Sequence, residues 1–208
     1  YNYDNKYDVP LSKNHGEFIL NNNYLGIAWA YANQNKHIEA IKYYDMILRS
    51  KSNKHMLALL GKVNSLIAQG KYEESKELLI IARKLYPKNK YVIELNGLLN
   101  YNLGDYNVAI KQFKEVIKID NKTYTCPYEG LGMAYYKTGK YNLAKENLIK
   151  SIEINPNIEF KKYNTLAKIY IDEGNYQRAQ ELLKKSIENY PYDNESIQLL
   201  KSIQKNLR

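Results

Sequence analysis

Apolar residues along this chain recur at helical spacing, and the helical stretches come in pairs separated by a short polar turn. Leu131, Ala134 and Tyr135 follow at three- and four-residue steps, and Tyr141, Ala144, Leu148, Ser151 and Ile152 continue that spacing beyond Gly139. Such a period, about 3.6 residues, marks one buried face of an α-helix. Gly139 is expected to end the first helix of this pair, because glycine accepts the left-handed backbone of a tight turn. Pro156 is expected to end the second, since proline cannot continue a helix and biases its predecessor away from one. Pro87 and Pro191 stand at equivalent places in other pairs.

The pair recurs along the chain. Gly139-Lys140-Tyr141 is followed by Ala144, Gly174-Asn175-Tyr176 by Ala179, and Gly104-Asp105-Tyr106 by Ala109. Gly70-Lys71-Tyr72 with Ser75 keeps the plan, and Asn35-Lys36-His37 with Ala40 is a weaker copy. The turn residues at 35, 70, 104, 139 and 174 are 35, 34, 35 and 35 apart. A fixed period of this length around a helix-turn-helix unit predicts a repeat array. Each unit packs on its neighbours, so the 208 residues behave as one quasi-linear stack rather than a globule around a pocket.

The combination of aromatic, Leu-Gly, Tyr, Gly-x-Tyr, Ala, Leu or aromatic, small residue and Pro resembles the tetratricopeptide repeat. The fourth unit carries it at Tyr128, Leu131, Gly132, Tyr135, Gly139, Tyr141, Ala144, Leu148, Ser151 and Pro156. The fifth carries Tyr163, Leu166, Ala167, Tyr170, Gly174, Tyr176, Ala179, Leu183, Ser186 and Pro191. The first matches at Tyr24, Ile27, Ala28, Tyr31, Ala40, Tyr44 and Ile47, while Lys62 and Asn96 stand where the family usually has leucine. The resemblance implies an all-α, right-handed α-solenoid of five helix-turn-helix repeats, about 21–55, 56–89, 90–124, 125–159 and 160–193. Residues 194–208 are expected to form a C-terminal capping helix, with Asp193 as its N-cap and Ile197, Leu200, Ile203 and Leu207 as its apolar stripe. Residues 1–20 read as a linker or partial cap, with Tyr1 to His15 as linker and Gly16 to Leu20 able to extend the first helix.

Stacked hairpins of this family line an inner groove with the first helix of each unit. Carried onto this chain, that row is Asn22, Leu25, Trp29 and Ala32, then Leu57, Leu60, Asn64 and Ile67. It continues as Tyr91, Glu94, Leu98 and Tyr101, then Cys126, Glu129, Met133 and Tyr136, then Lys161, Asn164, Lys168 and Ile171. The candidate partner-binding set is Leu25, Trp29, Leu60, Asn64, Tyr91, Glu94, Leu98, Tyr101, Glu129, Met133, Tyr136 and Lys168. Clustered apolar and aromatic side chains on a surface mark interaction sites. The resemblance therefore implies a non-catalytic scaffold or adaptor that takes a peptide or partner protein in its groove.

A chaperone-tail carboxylate clamp of Lys, Asn and Arg is absent from any three consecutive units, and Glu94 and Glu129 stand where basic groups would be needed. Those two acids instead favour a segment with Lys or Arg among apolar residues. They do not make a general acid–base pair, because tuning such groups needs a closed pocket. Cys126 precedes Pro127 with no His beside it, and His15, His37 and His55 share no ligand spacing, so no catalytic residue, metal site or cofactor is expected. No glycine-rich phosphate loop is present.

The net charge of +9 rests almost wholly on lysine in a chain also rich in Asn, Ile and Tyr, as AT-rich coding produces, so it is weak evidence for an acidic partner. Lys111, Lys114 and Lys118, with Lys184 and Lys185, could serve nucleic acid, but solvated helix faces explain them. A self-associating or spacer module is the remaining alternative, with a homo-oligomer as its form. No apolar run reaches the ~20 residues of a membrane span; Tyr24 to Ala32 stops at Asn33. A lone cysteine fits a reducing, cytoplasmic compartment. The start at Tyr1 suggests a processed or excised chain, whose upstream signal or anchor is not legible.

Small residues such as Ala28, Gly132 and Ala167 in first helices, and Ala40, Ala109, Ala144 and Ala179 in second helices, let backbones approach. Replacing Ala144 or Ala179 with Leu is expected to overpack that contact at a cost of ~1–3 kcal/mol. Thermal circular dichroism checks this; a melt identical to the parent's would mean the register is misassigned.

Overall fold

Each first helix ends in the same hydrogen-bonded stop. Gly70, Gly104, Gly139 and Gly174 have φ of 73°, 87°, 72° and 74°, and Asn35 takes the same left-handed backbone at 58°. The next amide donates five residues back: Lys36 to Tyr31 O at 2.9 Å, Lys71 to Leu66 O at 2.9 Å and Lys140 to Tyr135 O at 2.9 Å. Asp105 donates to Asn100 O and Asn175 to Tyr170 O, both at 2.8 Å. This satisfies helix-end carbonyls in the manner of a Schellman motif. Asparagine tolerates this conformation better than other side chains, so the weak first copy of the turn closes like the rest.

The computed structural model describes residues 13–49, 55–120, 126–156 and 160–207, all helix or turn, with no strand among them. Helices α1 (Lys13–Asn33), α2 (His37–Arg49), α3 (Met56–Ala68) and α4 (Tyr72–Leu85) form one compact unit. Helices α5 (Lys90–Leu103), α6 (Tyr106–Ile119), α7 (Cys126–Lys137), α8 (Tyr141–Ile154), α9 (Phe160–Asp172), α10 (Tyr176–Asn189) and α11 (Asn194–Ile203), with a closing 3-10 turn Gln204–Leu207, form a second. The helix α1 already includes residues 13–15, which the sequence read as linker, and Gly16 to Leu20 do extend it. The rest of that linker, 1–12, and the side chains of Asn22, Cys126 and Leu207 lie outside the described residues.

Second helices bury the same three positions in every copy. Five, nine and twelve residues after the turn residue stand Ala40, Tyr44 and Ile47; Ser75, Leu79 and Ala82; Ala109, Phe113 and Val116; Ala144, Leu148 and Ser151; Ala179, Leu183 and Ser186, all buried. The middle side chain is the large one, and for Tyr44, Phe113 and Leu148 it seats against glycine on a first helix. A Cβ on Gly61 would come within 2.3 Å of the Tyr44 ring. Phe113 lies between two glycines, with a Cβ at Gly97 reaching it at 2.8 Å and one at Gly130 at 2.5 Å. A Cβ on Gly132 would stand 2.6 Å from Leu148 Cγ.

Two departures from the family pattern are absorbed by pairing. Lys62 Nζ donates to Asp45 Oδ1 at 2.6 Å, tying α3 to α2. At the other, Asn100 Nδ2 donates to Asn96 O at 2.7 Å and lies 3.2 Å from Gln112 Oε1 on α6. In the first unit Tyr43 of α2 stacks on Tyr31 with ring centroids 5.6 Å apart and planes at 17°. The last helix begins as expected, with Asp193 accepting from the amides of Glu195 and Ser196. Its buried face is shifted from the expected stripe: Ser196 and Ile203 are buried, and Leu199 and Leu200, rather than Ile197, pack on the core.

The pinched site at Phe113 gives a stability prediction. Gly26→Ala, with nothing within 4 Å of its new Cβ, should stabilise by up to about 1 kcal/mol through helix propensity. Gly130→Ala should instead lose about 1 kcal/mol, because the buried ring has a second glycine-lined wall behind it and little room to retreat. Combined with Phe113→Leu, it should cost about 1 kcal/mol less than the two separate losses add to, by urea denaturation.

Candidate partner-binding faces

First helices pack side by side along each unit: α1 on α3 in the first, and α5 on α7, α7 on α9 and α9 on α11 in the second. Within each unit, among the described residues, successive second helices do not approach as closely as successive first helices do. Each row is therefore tighter on the first-helix side, which makes that side the inner one. The inner face of each unit carries the candidate residues, and packing sorts them.

In the first unit Trp29 is 65% exposed and Leu57, on the neighbouring helix, 51% exposed. Asn64 is exposed and Leu25 half-buried. Leu60 is only 7% exposed and packs into the core, which leaves little of it for a partner to touch. Helical spacing placed it on the inner row, but α3 is apolar nearly all round and buries that flank too.

In the second unit Tyr91 is 40% exposed and Leu98, Met133, Glu94 and Glu129 are half-buried. Both glutamates are engaged within the chain. The Met133 sulfur accepts from the Thr165 hydroxyl of α9 at 3.2 Å. Tyr91 is bordered by Lys90, whose Nζ lies 5.1 Å from the ring centre and 2.6 Å from Asp120 Oδ2. The hydrogen bond to Asp120 raises the Lys90 ammonium above its ordinary value, against a smaller opposing effect of burial.

Tyr101 and Tyr136 have structural partners. Tyr101 meets Tyr106 across the α5–α6 turn with centroids 5.5 Å apart, and Tyr136 meets Tyr141 across the α7–α8 turn at 5.7 Å. Both pack against the core. Burial, with a smaller contribution from Tyr106, pushes the Tyr101 phenol above its usual value. Lys168 is likewise held, its Nζ 2.5 Å from Glu195 Oε1 of α11. At this end of the row the chain's own last helix thus supplies a partner for Lys168. Leu57, outside the candidate set although on the same row, is 51% exposed against 7% for Leu60. The place of Leu57 two residues into a first helix, the same as that of Tyr91, was the available signal.

Among the described residues no group of three His, Cys, Asp or Glu side chains could hold a metal ion, and no helix is long and apolar enough to cross a membrane. On the outer helices, lysines lie over tyrosines of first helices: Lys114 at 5.8 Å from the Tyr135 ring centre and Lys150 at 4.7 Å from that of Tyr128. Lysine in these places supports packing through cation–π contact.

This sorting separates free from structural aromatics. Trp29→Ala should change stability by less than about 0.5 kcal/mol, as expected for an exposed side chain. Tyr101→Ala and Tyr136→Ala should each cost about 2 kcal/mol through lost packing and ring contact. Denaturant titration of the three variants checks the ranking.

Comparison with known proteins agrees with this geometry. Tetratricopeptide repeat models match residues 22–53, 127–158 and 163–193, and another of the same description matches 60–122. No curated protein sequence matches. Among solved structures, the thermophilic TPR protein TTC0263 of Thermus thermophilus aligns over 90% of this chain and 98% of its own, with 15% identity and a TM-score of 0.74. MamA of Desulfovibrio magneticus aligns over 84% and 97%, with 19% identity and a TM-score of 0.60. YrrB, a TPR protein with an unusual peptide-binding site, aligns over 86% and 90%, with 20% identity and a TM-score of 0.57. With its five αL-closed hairpins and these matches, the chain belongs to the tetratricopeptide repeat family, as an all-α solenoid.

Proposed function

We propose that this protein-interaction scaffold binds an apolar segment of a partner protein on the inner, first-helix faces of its repeats. The observation that carries the proposal is the exposure of Trp29 on α1 and Leu57 on α3, two first helices that pack together. A tryptophan in a repeat array with room for aromatics in its core, yet left in solvent, costs solubility without contributing to packing. Large aromatics in such places are the residues most enriched among binding hot spots. Tyr91, Leu98 and Met133 offer a second apolar strip on α5 and α7. Glu94 and Glu129, at equivalent positions of those two helices, add negative potential that suits a segment with Lys or Arg among its apolar residues.

A rigid preformed face lowers the ordering cost on the protein's side and leaves most of that cost to the ligand. The peptide-binding site described for YrrB is in line with this reading at the level of the fold. Tetratricopeptide repeats are typically non-catalytic interaction modules, and the open inner faces offer no enclosed place for acid–base chemistry.

The test uses affinity capture from a lysate of the cells that make the protein, with the parent and a Trp29→Ala/Leu57→Ala variant as baits. Partners identified by mass spectrometry should be lost from the variant, and binding of a captured partner should weaken about 30-fold or more. Both substitutions lie at exposed positions, so the variant should keep the parent's circular dichroism spectrum. Equal recovery of every partner by the folded variant would overturn the first-helix face as the binding surface.

A further inference from the structure

The seam between α11 and the helices beneath it differs from the other contacts of the second unit. Elsewhere large apolar side chains such as Phe113, Leu131 and Leu148 fill the space between helices. Under the first turn of α11 the buried groups are instead Asn164 of α9, Ser186 of α10 and Ser196 of α11. Asn164 Nδ2 donates to Asp193 Oδ2 at 2.8 Å and to Glu195 Oε2 at 3.2 Å. The Ser196 hydroxyl lies 2.6 Å from Asn164 Oδ1 and 2.8 Å from the Ser186 hydroxyl, and it also meets Asp193. It has one proton to give, so it donates to one of these and accepts from Ser186. Asp193 further accepts from the amides of Glu195 at 3.3 Å and Ser196 at 3.0 Å. Lys168 Nζ completes the network on Glu195 at 2.5 Å.

We propose that α11 is a pH-operated latch: Asp193 and Glu195 hold it on α9 and α10 as carboxylates, and protonating them undocks this helix while α6, α7 and α8 stay folded. The donors that converge on the two carboxylates include an amide and a hydroxyl of residues shut away from solvent. A protonated carboxyl loses acceptor capacity and brings a donor of its own into a site already full of donors. The apolar remainder of the seam, Leu199, Leu200 and Ile203, belongs to a helix of 10 residues. A helix that short does not persist undocked, since isolated helices need about 12–15 residues to be even marginal.

The direction of the titration agrees with the geometry. Burial works to raise the Asp193 carboxyl, but hydrogen bonds from Ser196, Asn164 and the two amides outweigh it and leave the group below its ordinary value. For Glu195 the Lys168 hydrogen bond is the largest effect and lowers the group; burial opposes it and Asn164 assists. Folded values below unfolded ones mean the stabilisation is complete above the ordinary carboxylate range and is lost as pH falls through the lower folded values. The charged group facing the pair from α9 is Lys168. From α10 come the Ser186 hydroxyl and the Tyr190 carbonyl, which accepts the Asp193 amide at 3.1 Å. The two carboxylates act on each other, raising Glu195 slightly. Among the described residues the closing 3-10 turn adds no charge to the site.

Hydrogen exchange by mass spectrometry from pH 7 to pH 3, corrected for intrinsic exchange rates, tests the latch on the full chain. Amides in 196–203 should lose protection at least tenfold at a pH where α6, α7 and α8 keep theirs. Asp193→Asn/Glu195→Gln, which retains a good N-cap in Asn, should make protection in this segment independent of pH over that range, whether the helix is then docked or not. Loss of protection in α11 and in α6 to α8 at one common pH would overturn the proposal. So would a double variant that keeps the parent's pH profile.

Discussion

The array rests on how closely two helix backbones can approach where a large side chain from a second helix is seated on glycine. Tyr44 reaches Gly61 and Phe113 lies between Gly97 and Gly130, at separations that leave no space for even one more carbon. The flanking positions, five and twelve residues after the turn, are Ala, Ser, Val or Ile and are buried throughout. Within each unit small residues bring the helices together and one large side chain fills what remains, so the hairpins are held by shape. At interior packing density this lock has no slack. That is why the period stays within one residue across the copies whose outer surfaces share little.

Polar residues enter this scheme wherever a partner of the right reach is available. Lys62 occupies a leucine position by pairing with Asp45, and Asn96 does so inside a cluster of amides with Asn100 and Gln112. The same logic culminates at α11, where amide, hydroxyl and carboxylate groups replace the apolar filling of the earlier seams. Such networks add little net stability but punish any rearrangement that leaves a buried donor unpaired. They give the two ends of the second unit different characters: an apolar interior, and a charge-dependent terminus.

Side chains on the first-helix faces divide between those that join neighbouring helices, such as Met133 with Thr165, and those left exposed. Trp29 and Leu57 are exposed on one such face and Tyr91 on another. Tyr101 and Tyr136, at equivalent positions of two copies, are drawn back into the scaffold by Tyr106 and Tyr141 just across the turn. Lys168 is similarly withdrawn by Glu195.

The turns, the helix pairing and the buried triad of the first, fourth and fifth second helices were legible in the sequence, because they depend on contacts within about 35 residues that recur along the chain. Even the Asn35 turn could be read, since its backbone demand is local. The fate of the inner-face residues could not. Spacing says which side of a helix a residue occupies, but exposure depends on what arrives opposite it from elsewhere in the chain. Leu60 met the core, Lys168 met a helix 27 residues further on, and Trp29 was left mostly in solvent. Local periodicity thus determined the scaffold, and tertiary packing decided which of its side chains were left to bind anything.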